Sequence, residues 1–191
     1  MSCVGVLGGT FNPIHFGHLI TASAIKEIRK LDKIIFVPCF ISPHKVDNKP
    51  DNSLDRLEMV KLAIGKTAGF EYSDYEITKG GISYTIDTLT ELNKVYSKLE
   101  LIIGYDNLLK FHTWKEPDKI LEMAELIVMK RKTDKPPVTV DQYFSKAKFV
   151  DTPLIEISAT DIRSRIKSGM SIDFLVPEKV KEYICTFNLY R

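Results

Sequence analysis

A chain of 191 residues with 44% hydrophobic content can bury one sizeable core, and its length fits a single domain spanning residues 1–191. Its 27 basic and 25 acidic residues are well mixed and leave a formal charge of +2, which supplies no broad cationic face for nucleic acid. Cys3, Cys39 and Cys185 lack paired spacing, so neither a disulfide framework nor a Cys-based zinc site is expected. With no apolar run of transmembrane length and no signal-like start, a cytoplasmic protein without membrane contact is the expectation.

Val4 to Leu7 read as a short buried strand, and Gly8 and Gly9 directly after it let backbone N–H groups approach a ligand with no Cβ in the way. The segment Gly8-Gly9-Thr10-Phe11-Asn12-Pro13-Ile14-His15-Phe16-Gly17-His18 then becomes a helix, in which Leu19, Ala22, Ile25 and Ile28 recur at helical spacing. A helix start carries unsatisfied N–H groups and attracts anions. His15 and His18 sit at that start, three residues apart, so both can donate to one phosphate. By itself the glycine pair is a tight turn, and the histidines are a structural pair or half a zinc site, for which no third ligand stands at a suggestive spacing.

Lys33 to Val37, stopped by Pro38, predict a second strand and complete a strand–helix–strand unit. A long proline-bearing loop over 38–53 follows, where His44 and Lys45 offer two donors that in isolation read as solvated. Apolar residues at 54, 57, 60, 63 and 64 predict a helix with Asn52 or Ser53 as its N-cap. Phe70, Tyr72 and Tyr75 to Ile77 suggest a third strand, and Lys79-Gly80-Gly81 a turn. Thr85 can then cap a helix whose buried stripe is Ile86, Leu89, Leu92 and Val95, offering first-turn N–H groups to another anion.

Leu99 to Gly104 predict a fourth strand, and Asp106 stands just beyond its carboxyl end, where ligands of open α/β sheets bind and where a carboxylate can accept from ribose hydroxyls. Trp114, the single tryptophan, is by default a packing residue, although an indole face can also attract and bury a cationic ring. Pro117 starts a short helix with Ile120, Leu121 and Ala124 inward. Leu126 to Met129 predict a fifth strand ending in Lys130-Arg131-Lys132, in which Arg131 reads equally as a charged strand end or a nucleotide ligand. Pro136-Pro137 marks a loop, and Phe149 with Val150 a sixth strand. Ser158 opens a helix with Ser-x-x-Asp capping-box spacing, and Val176-Pro177 precede a last helix carrying Val180, Tyr183 and Ile184. The alternation predicts an α/β fold: one Rossmann-like, doubly wound domain with a mainly parallel sheet flanked by helices.

The loop Gly-Gly-Thr-Phe-Asn-Pro-Ile-His-x-Gly-His resembles the signature of the adenylyltransferase/cytidylyltransferase superfamily, and Ile157-Ser158-Ala159-Thr160-Asp161-Ile162-Arg163 lies where that superfamily has its C-terminal phosphate-binding motif. The whole chain is similar to the bacterial nicotinate-nucleotide adenylyltransferase family, which makes deamido-NAD from ATP and nicotinate mononucleotide. The resemblance implies that His15, His18 and Arg163 are catalytic and that Gly8, Gly9, Thr10, Phe11, Lys45, Ser158 and Thr160 bind ATP. It further implies mononucleotide binding by Tyr84, Thr85, Gly104, Asp106, Trp114, Lys115 and Arg131, with Mg²⁺ held mainly by the ATP phosphates and no metal ligand from the protein.

Two positions depart from the usual family pattern: Asn12 replaces a frequent aspartate, and Lys115 stands where an aromatic residue is common. A charge at Lys115 would favour the acid nicotinate over the amide. The competing readings are a phosphopantetheine or nicotinamide mononucleotide acceptor and a nucleotide-sensing module without turnover. A dehydrogenase is disfavoured by the missing G-x-G-x-x-G and by Val37-Pro38 where an acidic residue would end the second strand. A homo-oligomer is compatible with the sequence, which does not fix the oligomeric state.

Overall fold

The computed structural model describes residues 2–43, 52–130 and 142–191. Six parallel strands form one sheet in the order β3-β2-β1-β4-β5-β6: β1 (Cys3–Gly9), β2 (Lys33–Pro38), β3 (Phe70–Tyr72), β4 (Lys98–Gly104), β5 (Ala124–Lys130) and β6 (Lys148–Asp151). Strands buried on both faces need apolar side chains at consecutive positions, which is why β1, β2, β4 and β5 read as short continuous apolar runs. Side chains alternate between two cores. Leu7, Ile34, Phe36, Ile102 and Ile127 face α1 (Phe16–Arg29), α2 (Ser53–Ile64), α8 (Ala159–Lys167) and α9 (Glu178–Thr186). Val4, Val6, Leu99, Leu101 and Val128 face α4 (Thr85–Leu92), α5 (Tyr105–Leu108), α6 (Pro117–Met123) and α7 (Gln142–Lys146).

The chain therefore winds along one face from β1 outward to β3, returns, and winds along the other face from β4 outward to β6. The reversal falls between β1 and β4, which pair in register from Cys3↔Lys98 to Leu7↔Ile102. Loops leaving the carboxyl ends of these two strands border the crevice that such a reversal creates.

The segment Tyr75–Lys79 forms a helix, α3, and not a continuation of the third strand. The Ser73 hydroxyl accepts from the Tyr75 N–H at 3.3 Å and turns the chain, and Glu76 is then carried inward, where the Thr88 hydroxyl donates to its carboxylate at 2.5 Å. Three positions expected to be buried are exposed: Ile28, Leu54 and Val95. Ile28 and Leu54 lie in the terminal turns of their helices, and Val95 lies beyond the end of its own. At the opposite end of the sheet from the glycine loop, Glu100 is buried and its carboxylate accepts two hydrogen bonds from Arg29, at 2.9 and 2.8 Å.

Candidate active site

His15 is the N-cap of α1, with an extended backbone, and His18 lies in the first helical turn. Their rings stack, with centroids 3.7 Å apart and planes inclined at 32°. The His15 backbone N–H donates to His18 Nδ1 at 3.3 Å. A ring nitrogen that accepts carries no proton, so the neutral His18 ring holds its proton on Nε2 and offers that N–H as a donor. Burial lowers the His15 pKa to about 4, and burial together with His15 lowers that of His18 to about 3, which makes both rings neutral donors at pH 7. The stack needs the glycine between the histidines, since a Cβ on Gly17 would lie 2.9 Å from His15 Nδ1.

Ahead of the histidines, Gly8 is exposed at the end of β1 with nothing within 4 Å of where a Cβ would stand, whereas a Cβ on Gly9 would meet the Phe11 ring at 2.9 Å. Phe11 is buried, adopts a φ of 47°, and presents its ring to His18 in a T-shaped contact at 5.1 Å. Arg163 approaches the same loop from α8: its Nη1 donates to the Asn12 carbonyl at 2.7 Å and its Nη2 to Thr160 Oγ1 at 3.3 Å. Ser158 caps that helix as the capping-box spacing predicts, accepting from the Asp161 N–H at 3.0 Å while its hydroxyl donates to the Asp161 carboxylate at 2.6 Å. Asn12 is tied on its other side by the Tyr190 hydroxyl, which donates to Asn12 Oδ1 at 2.6 Å. The two signature segments, about 150 residues apart in sequence, thus converge on one loop through Arg163 and Asn12.

Across the reversal point, Gly104 is the N-cap of α5 and Asp106 is exposed in its first turn. Tyr84, not Thr85, is the N-cap of α4, and Thr85 is its first helical residue without a side-chain cap. Lys115 reaches over the Tyr84 ring, with Nζ 4.6 Å from the centroid, and stands 3.8 Å from Asp87 Oδ1. Asp87 also pairs with Lys79. Trp114 is half-buried against Phe111, ring centroids 5.1 Å apart, and its Nε1 is buried with no hydrogen-bond partner. Lys45 with its neighbour His44, and Arg131, lie outside the described residues.

Sequence reasoning missed Arg56. On α2 it is fully buried, donating from Nη1 to the Thr10 carbonyl at 2.7 Å and from Nη2 to the Phe40 carbonyl at 3.1 Å. It assigned no partner to Ser83, whose hydroxyl accepts from the Phe40 N–H at 2.9 Å, and none to Glu76. An arginine on an amphipathic helix and a glutamate near a turn read as solvated, and only the fold shows that they face inward.

A doubly wound parallel sheet with a glycine loop, a histidine pair at a helix start and a second capped helix beside them defines a nucleotide-binding α/β protein of the transferase type, and residues 6–165 match the family model for Cytidylyltransferase-like proteins. Over 98% of this chain and 95% of its own length, a protein of Desulfitobacterium hafniense named "Probable nicotinate-nucleotide adenylyltransferase" is 39% identical. One of the same name from Dictyoglomus thermophilum is 41% identical over 98% of both chains. The chain belongs to the cytidylyltransferase-like family and, inside it, to the nicotinate-nucleotide adenylyltransferases. In fold it resembles Plasmodium falciparum nicotinic acid mononucleotide adenylyltransferase complexed with NaAD, at a TM-score of 0.78 and 19% identity over 100% of this chain and 98% of that one.

Proposed function

We propose that the protein transfers the adenylyl group of ATP to nicotinate mononucleotide, yielding nicotinate adenine dinucleotide and pyrophosphate in NAD biosynthesis. A phosphate oxygen of the mononucleotide attacks the α-phosphorus in line, the new P–O bond forms as the bond to the β-phosphate oxygen breaks, and pyrophosphate leaves. The attacking phosphate is already ionised near pH 7, so no protein nucleophile or strong base is required, and positioning with electrostatic stabilisation carries the rate.

The observation that carries this reading is the stacked, neutral histidine pair at the start of α1, with His18 Nε2–H left as a donor and Arg163 bound to the same loop. Donors fixed in place before substrate arrives need no reorganisation when charge develops on the transferring phosphate. Gly8, Gly9, Thr10 and Phe11 supply the backbone of the ATP cradle, Ser158 and Thr160 the second helix start, and Lys45 a further cation. Around this loop the side chains are donors and cations, complementary to phosphate oxygens, and among the described residues no three His, Cys, Asp or Glu side chains cluster as a metal site. Mg²⁺ in this reading enters with ATP on its phosphates, where it neutralises the leaving group.

For the acceptor, Asp106 takes the ribose hydroxyls, Trp114 the pyridine ring, and Gly104, Tyr84, Thr85, Lys115 and Arg131 complete the subsite. Lys115 already faces Asp87, which offsets part of its charge, so nicotinamide mononucleotide is the second reading for the acceptor. Work in the cytoplasm, where thiols stay reduced, fits Cys3, Cys39 and Cys185, none of which forms a disulfide among the described residues. Pyrophosphate release with ATP and Mg²⁺, compared across nicotinate mononucleotide, nicotinamide mononucleotide and phosphopantetheine, tests the assignment. Turnover fastest with phosphopantetheine, or none with any acceptor, overturns it.

A further inference from the structure

The buried polar groups that adenylyl transfer does not use form a continuous frame between the two half-sites. Arg56 binds the Thr10 carbonyl of the glycine loop and the Phe40 carbonyl beyond β2. The N–H of Phe40 donates to Ser83 Oγ, and the Ser83 N–H donates to the Ile41 carbonyl at 2.9 Å. Glu76 accepts from Thr88 and is hydrogen-bonded to the Ser83 side chain. Because the Ser83 oxygen accepts from Phe40 N–H, its own proton is free to point at the carboxylate, and Glu76 serves as the common acceptor for two hydroxyls. Ser83 immediately precedes Tyr84 and Thr85, the residues assigned to the mononucleotide.

Burying a guanidinium costs desolvation that an apolar side chain of like volume would avoid, so the fork of Arg56 is an expensive way to fill space and an effective way to fix two carbonyls at once. We propose that Arg56, Ser83 and Glu76 are positioning residues that hold the ATP loop and the acceptor segment in one register through the carbonyl and the N–H of Phe40. This rests on the adenylyl-transfer reading for the identity of the two half-sites. In-line transfer is sensitive to the distance between them: a misplacement of about 1 Å costs on the order of a hundredfold.

The test is a kinetic split on folded protein. Arg56→Lys keeps the charge but not the fork, and is expected to lower kcat about tenfold or more while raising the KM for ATP more than that for the mononucleotide. Ser83→Ala leaves Thr10 untouched and is expected to raise the mononucleotide KM several-fold with little change for ATP. Combined, the two should cost less in kcat than the product of their separate effects, because both act through Phe40. Wild-type kcat and KM values in both single variants, or strict additivity in the double, would overturn the proposal. Should Arg56→Lys fail to fold by circular dichroism and melting, Ser83→Ala and Glu76→Gln carry the same test, and an unchanged mononucleotide KM in both overturns it. An acceptor other than nicotinate mononucleotide would replace it in these assays without altering them. If wild type transfers to none, the function fails separately, and the frame is read by ATP binding, which Arg56→Lys must weaken and Ser83→Ala must spare.

Discussion

The imidazoles of His15 and His18 lie face to face, 3.7 Å between centroids, and neither carries charge at neutral pH. Two imidazolium rings could not share that spacing without strong repulsion, so in the proposed reaction the pair would act on phosphate through polarised N–H donors, and a triphosphate would raise both affinities for protons as it binds. His18→Ala should lower kcat on the order of a hundredfold or more with little change in KM, the signature of a donor that works in the transition state. Steady-state kinetics at saturating ATP check this; an unchanged kcat removes His18 from the mechanism.

The same pair makes stability depend on pH. In the unfolded chain each histidine titrates near 6.5, and in the folded protein at about 4 and about 3, so between those limits the unfolded state binds more protons. The contribution is complete above pH 6.5 and is lost as pH falls toward the folded values. Urea midpoints should therefore decline from pH 6.5 to 4, and a His15→Gln, His18→Gln double variant should decline less steeply. Parallel profiles would assign the acid sensitivity to carboxylates such as Glu125, whose pKa is lowered mainly by its hydrogen bond from Lys148.

Trp114 and Lys115 offer two separate tests of the proposed acceptor site. Trp114→Ala should raise the KM for the mononucleotide far more than that for ATP, if its ring carries the pyridine; equal effects would mark it as packing against Phe111 only. Lys115→Ala should narrow the preference for the acid over the amide acceptor. An unaltered ratio of kcat/KM values would mean that Asp87 already cancels the charge.

Arg29→Ala tests the far end of the sheet. It strips the buried Glu100 carboxylate of two hydrogen bonds, and an uncompensated buried charge costs about 3–5 kcal/mol. Equilibrium urea denaturation should register that loss while kcat of the remaining folded protein stays at the wild-type value. A cost below about 1 kcal/mol would mean that water or Lys98 reaches the carboxylate.

Much of the topology could be read from apolar runs alone, because a parallel sheet covered on both faces demands them, as in Lys33 to Val37 and Leu99 to Gly104. The Ser158 cap was equally legible, since its chemistry is local. What failed was what depends on distant partners. Tyr75 to Ile77 alternate like a strand, yet the turn at Ser73 and the need to bring Glu76 to Thr88 make them helical. Arg56 looks like any surface arginine until two carbonyls from separate loops are found within reach of its fork. The short helix Gln142–Lys146 follows the residues outside the description, and its apolar anchor, Tyr143, packs on Phe111 from far upstream.

The hydroxyl of Tyr190 grips Asn12, so a residue 178 positions downstream helps to shape the loop that follows β1. A truncation that removes Tyr190 takes that grip from the loop, whereas Ser2 lies exposed before β1, at the end of the sheet away from the glycine loop.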